Sequence, residues 1–139
     1  MPNLKMVVLM ILLPLCGCVQ ARFQADVAEN EYPAQPIHAD AQALYVGEWT
    51  TMTQLGVRSI KILTDGRAKI CLAGEDAGTT DAKVYLDDGK PALIVNTGAK
   101  VGILESNKEF LLLDIYGSKE RYYAGQVHAS CQSAFANFR

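Results

Sequence analysis

The sequence predicts an all-β fold, a small antiparallel up-and-down β-barrel of about eight strands. Short segments rich in aliphatic, aromatic and β-branched residues follow one another between Tyr45 and Gln126, and turn residues separate them. Thr64-Asp65-Gly66 and Asp88-Gly89 are tight-hairpin signals, because glycine readily adopts the positive φ of a tight turn. Ser106-Asn107 and Gly117-Ser118 are less specific signals of the same kind. Connections this short require antiparallel neighbours, since parallel strands need crossovers of roughly a dozen residues. The predicted strands are YVGEWTTMT, VRSIKILT, RAKICLA, AKVYLDD, PALIVNT, KVGILE, EFLLLDIY and ERYYAGQ.

Alternation within these segments predicts which side chains face the core. In RAKICLA the apolar side chains alternate with Arg67, Lys69 and Cys71, so Cys71 is expected on the outer face of the sheet. EFLLLDIY is apolar on both faces, which indicates a strand covered on both sides. A sandwich is the alternative architecture, but closure into a barrel removes strand edges and suits a meander better.

The N-terminus has the composition of a cleaved signal peptide. Lys5 precedes an apolar run from Met6 to Leu15, and small residues follow the run. A membrane-spanning helix needs about 20 apolar residues, roughly twice the length of this run. We therefore expect a cleaved signal peptide rather than a transmembrane anchor.

The tetrapeptide LCGC at 15–18 resembles the lipobox of bacterial lipoproteins. In that family a leucine stands three residues before the lipidated cysteine, and a small residue stands one before it. Leu15 and Gly17 hold these positions, so the resemblance implies that Cys18 is acylated and begins the mature chain. Cys16 departs from the family, which usually has a small or aliphatic residue there. Two or three acyl chains, at about 0.8 kcal/mol per buried methylene, give stable membrane anchoring.

The residue after the lipidated cysteine carries the sorting information in this family. Val19, not aspartate, follows Cys18. The resemblance therefore implies a lipid anchor in the bacterial outer membrane, with the body in the periplasm or at the cell surface. An ordinary secretory signal, cut near Ala21, is the alternative.

Between the proposed anchor and the strands, the sequence predicts a flexible tether. This region contains prolines, acids and alanines without a sustained apolar period, although a short helix is expected to begin at Asp40. The predicted organisation is a signal peptide at 1–17, a lipid-anchored tether at 18–43 and a β-barrel domain at 44–139.

Two cysteines remain after Cys16 is discarded and Cys18 is acylated. Export implies an oxidising compartment, so Cys71 and Cys131 are predicted to form a disulfide. A disulfide that closes a loop of about 60 residues should contribute roughly 4 kcal/mol to the free energy of unfolding. The alternatives are a reactive thiol or a metal pair that uses His128, three residues before Cys131. A structural zinc site wants about four ligands, and nothing else in the sequence supplies them.

Charge and motifs exclude several classes of function. Without Lys5 the chain has 13 − 1 = 12 basic against 15 acidic residues, which argues against a nucleic-acid surface. The sequence has no GxSxG, HExxH or phosphate-binding glycine loop. Glu48 or His128 could act as a general base, but isolated groups on strands are usually solvated or structural. We expect a protein that is not an enzyme and that holds no cofactor or metal.

An acidic segment, GEDAGTTD at 74–81, is the one candidate for calcium. It offers carboxylate oxygens from Glu75, Asp76 and Asp81, the ligand type that calcium prefers. Its spacing does not match the EF-hand loop. A solvated hairpin end is the favoured interpretation.

GEW at 47–49 resembles the GxW signature of lipocalins and their relatives. The resemblance implies an up-and-down barrel that binds a small apolar ligand, with Trp49 packed across its closed end. A barrel built from this few residues is tighter than a lipocalin, and its own side chains should fill it. Trp49 is therefore expected in the core rather than in contact with a ligand.

The segment DIYGSKERYYAG at 114–125 is similar to loops of the inhibitors of c-type lysozyme, small disulfide-linked β-barrels that are often lipoproteins. The resemblance implies that Ser118 and Lys119 hydrogen-bond carboxylates in an acidic hydrolase cleft, with Arg121 beside them. Tyr122 or Tyr123 would flank them as aromatic anchors. The alternative is a hairpin turn with ordinary strand aromatics.

Together these observations predict a cell-envelope lipoprotein that acts as a non-catalytic binding module. Its expected partners are the membrane, through the lipid anchor, and a protein of the envelope or of a host. Inhibition of a lysozyme-type hydrolase is the sharpest hypothesis. A lipocalin-like binder of a small apolar ligand and a structural envelope component are the alternatives.

Overall fold

The computed structural model describes residues 36–74 and 77–139. Helix α1 comes first, eight strands follow in succession, and helix α2 lies near the C-terminus. The elements are α1 (Ala39–Tyr45), β1 (Gly47–Thr53), β2 (Gly56–Ile62), β3 (Arg67–Gly74), β4 (Gly78–Asp87), β5 (Lys90–Val95), β6 (Lys100–Ser106), β7 (Phe110–Ile115), β8 (Ser118–Ala124) and α2 (Ala129–Ala136).

The eight strands form a closed barrel in sequence order. Each strand pairs antiparallel with the next, and β1 pairs antiparallel with β8 to complete the circuit. The predicted fold class, a small antiparallel up-and-down β-barrel, is confirmed, and the sandwich alternative is wrong. Neither helix in the described ranges has the length and apolar character that crossing a membrane demands.

Two-residue turns set the register of three hairpins, and residues 54–55 form the one that joins β1 to β2. Asp88 and Gly89 join β4 to β5 with φ of 49° and 75°, as their residue types predict. The β7–β8 turn is Tyr116-Gly117, with φ of 52° and 84°, one residue earlier than the Gly117-Ser118 signal indicated. The side chain of Asp114 stabilises this turn, because its Oδ1 accepts a hydrogen bond of 2.7 Å from the Gly117 N–H.

The barrel has two different ends. The end at which α1 lies, here called the α1 end, also carries the β2–β3, β4–β5 and β6–β7 connections. The N–H of Ile37 donates to the carbonyl of Thr64 at 2.8 Å, and Trp49 Nε1 donates to the carbonyl of Tyr45 at 2.9 Å. These bonds join α1 to the barrel. The folded body therefore includes α1 as well as the strands.

The opposite end of the barrel, here called the mouth, carries the β1–β2, β3–β4, β5–β6 and β7–β8 connections. Between the two ends, inward-pointing side chains pack into one apolar cluster. On β7, Leu111 and Leu113 point inward and are fully buried, whereas the outward Leu112 is half-buried. The largest members of the cluster are Trp49, Ile60, Ile62, Leu93, Ile103, Leu111, Leu113 and Tyr122.

Helix α2 packs on the outside of the barrel against β3. Cys71 points outward, as its alternation with Ala68 and Ile70 predicts, and is bonded to Cys131 of α2. Phe135 packs in the same small cluster, and Lys61 Nζ donates to the carbonyl of Phe135 at 2.9 Å. The C-terminal segment thus covers part of the outer face with a covalent link and an apolar contact.

Candidate functional site

The barrel closes incompletely between its first and last strands. β1 pairs with β2 over seven residue pairs, whereas its ladder with β8 consists of Trp49 with Ala124 and Thr50 with Tyr123. Beyond these pairs the two strands diverge toward the mouth. We call the resulting opening, between residues 51–53 of β1 and residues 118–121 of β8, the β1–β8 seam. A cleft of about 640 Å³ lies there, within the usual size range of binding pockets.

Three polar side chains fill the inner side of the seam. Arg58 Nη1 donates to Glu120 Oε2 at 2.8 Å and to the hydroxyl of Tyr122 at 3.1 Å. The Tyr122 hydroxyl in turn donates to Glu120 Oε2 at 3.1 Å. Each of the three side chains hydrogen-bonds to the other two. The cluster therefore supplies hydrogen-bond partners to the charged groups of Arg58 and Glu120, which lie beside the apolar core. Desolvation lowers the pKa of Arg58, but its hydrogen bond with Tyr122 and the charge of Glu120 outweigh this, and the net shift is upward.

Burial raises the pKa of Tyr122 to about 12, and the hydrogen bond from Arg58 offsets this only in part. Because folding raises this pKa, the protonated hydroxyl stabilises the folded protein at pH values below the ordinary pKa near 10. This contribution to the free energy of unfolding is lost as the pH rises toward 12. We compare the free energy of unfolding of the native chain with that of a Tyr122→Phe variant. The difference between the two should fall by about 2 to 3 kcal/mol as the pH rises from 10 to 12. Urea denaturation of both proteins across that range measures the effect. Parallel pH profiles would contradict the assignment.

The predicted partner-binding residues separate into two groups. Ser118, Lys119 and Arg121 are exposed at the mouth, and Tyr123 is exposed on the outer face of β8. Tyr122 is fully buried, because its side chain points into the barrel as successive residues of a strand alternate. Tyr122 therefore cannot serve as a surface anchor, and Tyr123 alone of the two tyrosines is accessible.

Large apolar side chains lie exposed around the same seam. Met52 is 80% exposed and Leu55 is 54% exposed on the β1 side; Tyr116 is 82% exposed and Tyr123 is 53% exposed on the β8 side. A group of exposed apolar residues of this kind marks an interaction surface more often than an isolated one. Among them lies Arg121, whose guanidinium stacks over the Phe110 ring at 4.4 Å. The mouth thus combines aromatic, methionine and arginine side chains, the residue types enriched at protein interfaces.

The sequence reasoning did not identify Arg58 and Glu120. A signal was present for Arg58, since it shares its alternation with the core residues Ile60 and Ile62 and should point inward with them. Glu120 has the same relation to Tyr122. Sequence could place Arg58 inside the barrel but not Glu120, because alternation does not say which of Tyr122 and Tyr123 points inward. The pairing also joins residues 62 positions apart in the chain.

The remaining predicted residues occupy structural positions. Trp49 is buried in the core cluster next to α1, where its indole N–H is satisfied by Tyr45. The Cys71–Cys131 disulfide is present, with its Cα atoms 5.8 Å apart. His128 is the N-cap of α2, where its Nδ1 accepts from the Ser130 N–H at 3.2 Å. This cap explains the HxxC spacing without a metal.

Two other predicted positions fall partly or wholly outside the described residues. In the acidic segment, Asp81 forms an ion pair of 2.9 Å with Lys69, whereas Glu75 and Asp76 lie outside the described ranges. The predicted lipidation site Cys18, the signal peptide and the tether ahead of Pro36 also lie outside them.

Glu48, which was considered together with His128 as a general base, lies 3.5 Å from Lys61 Nζ.

Comparison with known proteins supports the fold. No protein-family model matches the chain, and no curated protein matches it. Among solved structures, the chain is similar to a lipoprotein, YedD, from Klebsiella pneumoniae subsp. pneumoniae. The TM-score is 0.62 at 12% sequence identity, and the match covers 77% of this chain and 91% of the other. At this identity the similarity establishes a shared barrel fold.

Proposed function

We propose that this protein is a lipid-anchored lipoprotein of the bacterial cell envelope whose barrel binds another protein through its mouth. The observation that carries the binding proposal is the grouping of exposed apolar and basic side chains along the β1–β8 seam. The LCGC motif and the fold likeness to a lipoprotein support the envelope location. In this proposal the barrel is non-catalytic, and its role is recognition.

The anchor is tested independently of the barrel. We propose acylation at Cys18 and, because Val19 follows it, retention in the outer membrane. Labelling of producing cells with a palmitate analogue should mark the native chain, and a Cys18→Ser variant should lose the label and leave the membrane fraction. A Cys16→Ser variant is the matched control, which should remain labelled. Equal labelling of both variants would contradict the assignment.

The mouth suits an acidic partner surface. Lys119 and Arg121 are exposed on β8, whereas the nearby Glu120 is neutralised by Arg58. Asp114 lies opposite Lys119 on β7 and offsets one of these charges, so the local charge is positive by one although the chain as a whole has a net charge of −2. Such a patch raises the association rate and the selectivity for acidic partners.

Charge reversal at the mouth should abolish partner retention. In a pull-down from envelope extracts with the full chain, Lys119→Glu combined with Arg121→Glu should lower retention of the partner at least about tenfold. Lys90→Glu combined with Lys108→Glu is the matched control, because both lysines are exposed near the α1 end. The control should retain the partner like the native chain. Retention unaffected by the mouth variant would refute the proposed site.

Inhibition of a lysozyme-type hydrolase is the finer form of this proposal. The Tyr116-Gly117 turn and the adjacent Ser118 and Lys119 are exposed at the mouth, where they can contact carboxylates in an acidic cleft. Titration of the full chain into a c-type lysozyme assay should reduce the rate of cell-wall lysis. Ser118→Ala combined with Lys119→Ala should relieve the inhibition. An unaffected rate would leave a binding module for another partner and exclude this target.

A carrier of a small apolar ligand is the competing proposal, and the packing of the core argues against it. Trp49 and its neighbours occupy the interior with their own side chains. Fatty-acid probes should therefore leave the fluorescence of Trp49, the single tryptophan of the chain, unchanged.

A further inference from the structure

The β1–β8 seam exposes backbone as well as side chains. In an antiparallel ladder, alternate residues direct their N–H and C=O groups toward the same neighbouring strand. The N–H of Gly125 donates to the carbonyl of Glu48, two residues along each strand from the pair of Thr50 with Tyr123. By the same alternation, Met52 on β1 and Arg121 and Lys119 on β8 point their backbone groups into the seam. No residue within the described ranges continues the ladder with these three. The seam is thus a short stretch of open strand edge.

The other side of β8 is fully occupied. Six residue pairs connect β7 and β8, from Phe110 with Tyr123 to Ile115 with Ser118. β8 is therefore held in an extended conformation while its seam side stays open toward the mouth. An edge held in this way is a template for an added strand, which supplies main-chain hydrogen bonds to a partner without rearrangement of the barrel.

The side chains beside the open edge define the chemistry of that strand. Lys119 and Arg121 lie on the outer face of β8, and an added strand would place every second side chain next to them. Arg121 stacks on Phe110 of β7, so its guanidinium lies on that face but on the β7 side of β8, and pairing with an added strand requires it to leave the ring. Carboxylates are the natural complement, because arginine binds them through paired hydrogen bonds. The intervening side chains of the strand would face Thr51 and the Arg58–Glu120 pair, which favours small or polar residues there.

We propose that the β1–β8 seam accepts an extended acidic segment of a protein partner, which pairs with the edge of β8 at Lys119 and Arg121 as an added strand. This inference rests on the proposed protein-binding function and specifies how the partner is held. Acidic residues at alternate positions of the segment lie beside the two basic side chains, and the backbone of the segment bonds to that of β8. The recognised feature is therefore an extended acidic peptide.

Selection from a displayed library of random peptides tests this proposal with the full chain as bait. We expect enrichment of peptides with acidic residues at alternate positions. A synthetic copy of an enriched peptide should bind in a fluorescence-anisotropy titration, and N-methylation of its backbone at the acidic positions should weaken binding at least about tenfold, because the charges remain while hydrogen-bond donors are lost.

A pair of substitutions at one position separates backbone pairing from charge. Lys119→Gln removes the charge and keeps the N–H that points into the seam, whereas Lys119→Pro removes both. Because this N–H points away from β7, the proline leaves the β7–β8 ladder intact. The proline variant should bind the selected peptide about tenfold more weakly than the glutamine variant. Far-UV circular dichroism and thermal unfolding verify that both variants are folded.

The outcomes that overturn the proposal are distinct from those that overturn the proposed function. A selection without acidic enrichment, or without any enrichment, contradicts strand addition at the seam. Equal binding of the N-methylated and unmodified peptides contradicts it as well, and so does equal binding by folded glutamine and proline variants. If the pull-down partner is still lost on charge reversal in any of these cases, the protein-binding function stands and its mode is different. If charge reversal leaves the partner bound, the function itself fails.

Discussion

Replacement of Cys71 and Cys131 together by alanine should lower the free energy of unfolding by about 4 kcal/mol. The disulfide closes a loop between residues 60 positions apart, and in the chain-entropy model a cross-link of this span removes that much conformational freedom from the unfolded chain. Alanine avoids placing a serine hydroxyl among the apolar groups around Phe135. Urea denaturation of the oxidised native chain and of the double variant measures the difference.

Chemical reduction provides the matched control for this prediction. The native chain treated with a thiol reductant should lose nearly the same stability, and the double variant should not respond to the reductant. A loss below about 1 kcal/mol would show that contacts within the unfolded chain already restrict the loop. In that case the covalent link would matter for the position of α2 more than for the stability of the barrel.

Trp49→Ala should lower the free energy of unfolding by about 3 to 5 kcal/mol. The variant removes the largest side chain of the core cluster and the hydrogen bond from its indole to the carbonyl of Tyr45. That bond joins β1 to α1, so the loss should also release the helix from the α1 end. Thermal and urea unfolding monitored by far-UV circular dichroism are suitable, because the variant has no tryptophan fluorescence.

Met52→Ala is the control on the same strand. Met52 points outward and is 80% exposed, so its truncation should change the stability by no more than about 0.5 kcal/mol. Trp49→Phe should lie between the two, because it keeps an aromatic ring in the core and loses the hydrogen bond. If Trp49→Ala cost as little as Met52→Ala, Trp49 would not be a core residue and its role as a ligand contact would have to be reconsidered.

The sequence was sufficient for the antiparallel strands because every signal for them is local, whereas closure into a barrel was preferred to a sandwich on the general ground that closure removes strand edges. Alternation located the inward side chains of each strand, and the short turns left antiparallel pairing as the one geometry available. The Asp88-Gly89 turn was predicted because both residue types tolerate positive φ. The β7–β8 turn was displaced by one residue because Tyr116, whose type gives no such signal, occupies the left-handed region there.

The candidate site was only partly predictable, because its defining features arise from the way the barrel closes. The exposed Ser118, Lys119 and Arg121 were identified from the turn they flank. Tyr122 was misplaced, since alternation in ERYYAGQ does not by itself say which of two adjacent tyrosines is inside. The seam has no sequence signal of its own: it depends on how far the first and last strands pair, which the remainder of the barrel determines.

The position of α1 has a practical consequence for work with the purified protein. The described chain begins at Pro36 on the α1 end, and the seam opens at the other end, so the proposed attachment and the proposed recognition would use opposite ends of the barrel. Immobilisation through a tag placed ahead of Pro36 therefore leaves the mouth accessible to an analyte. Random coupling through amines would instead consume Lys119 in a fraction of the molecules. A biosensor surface should accordingly be prepared by N-terminal capture.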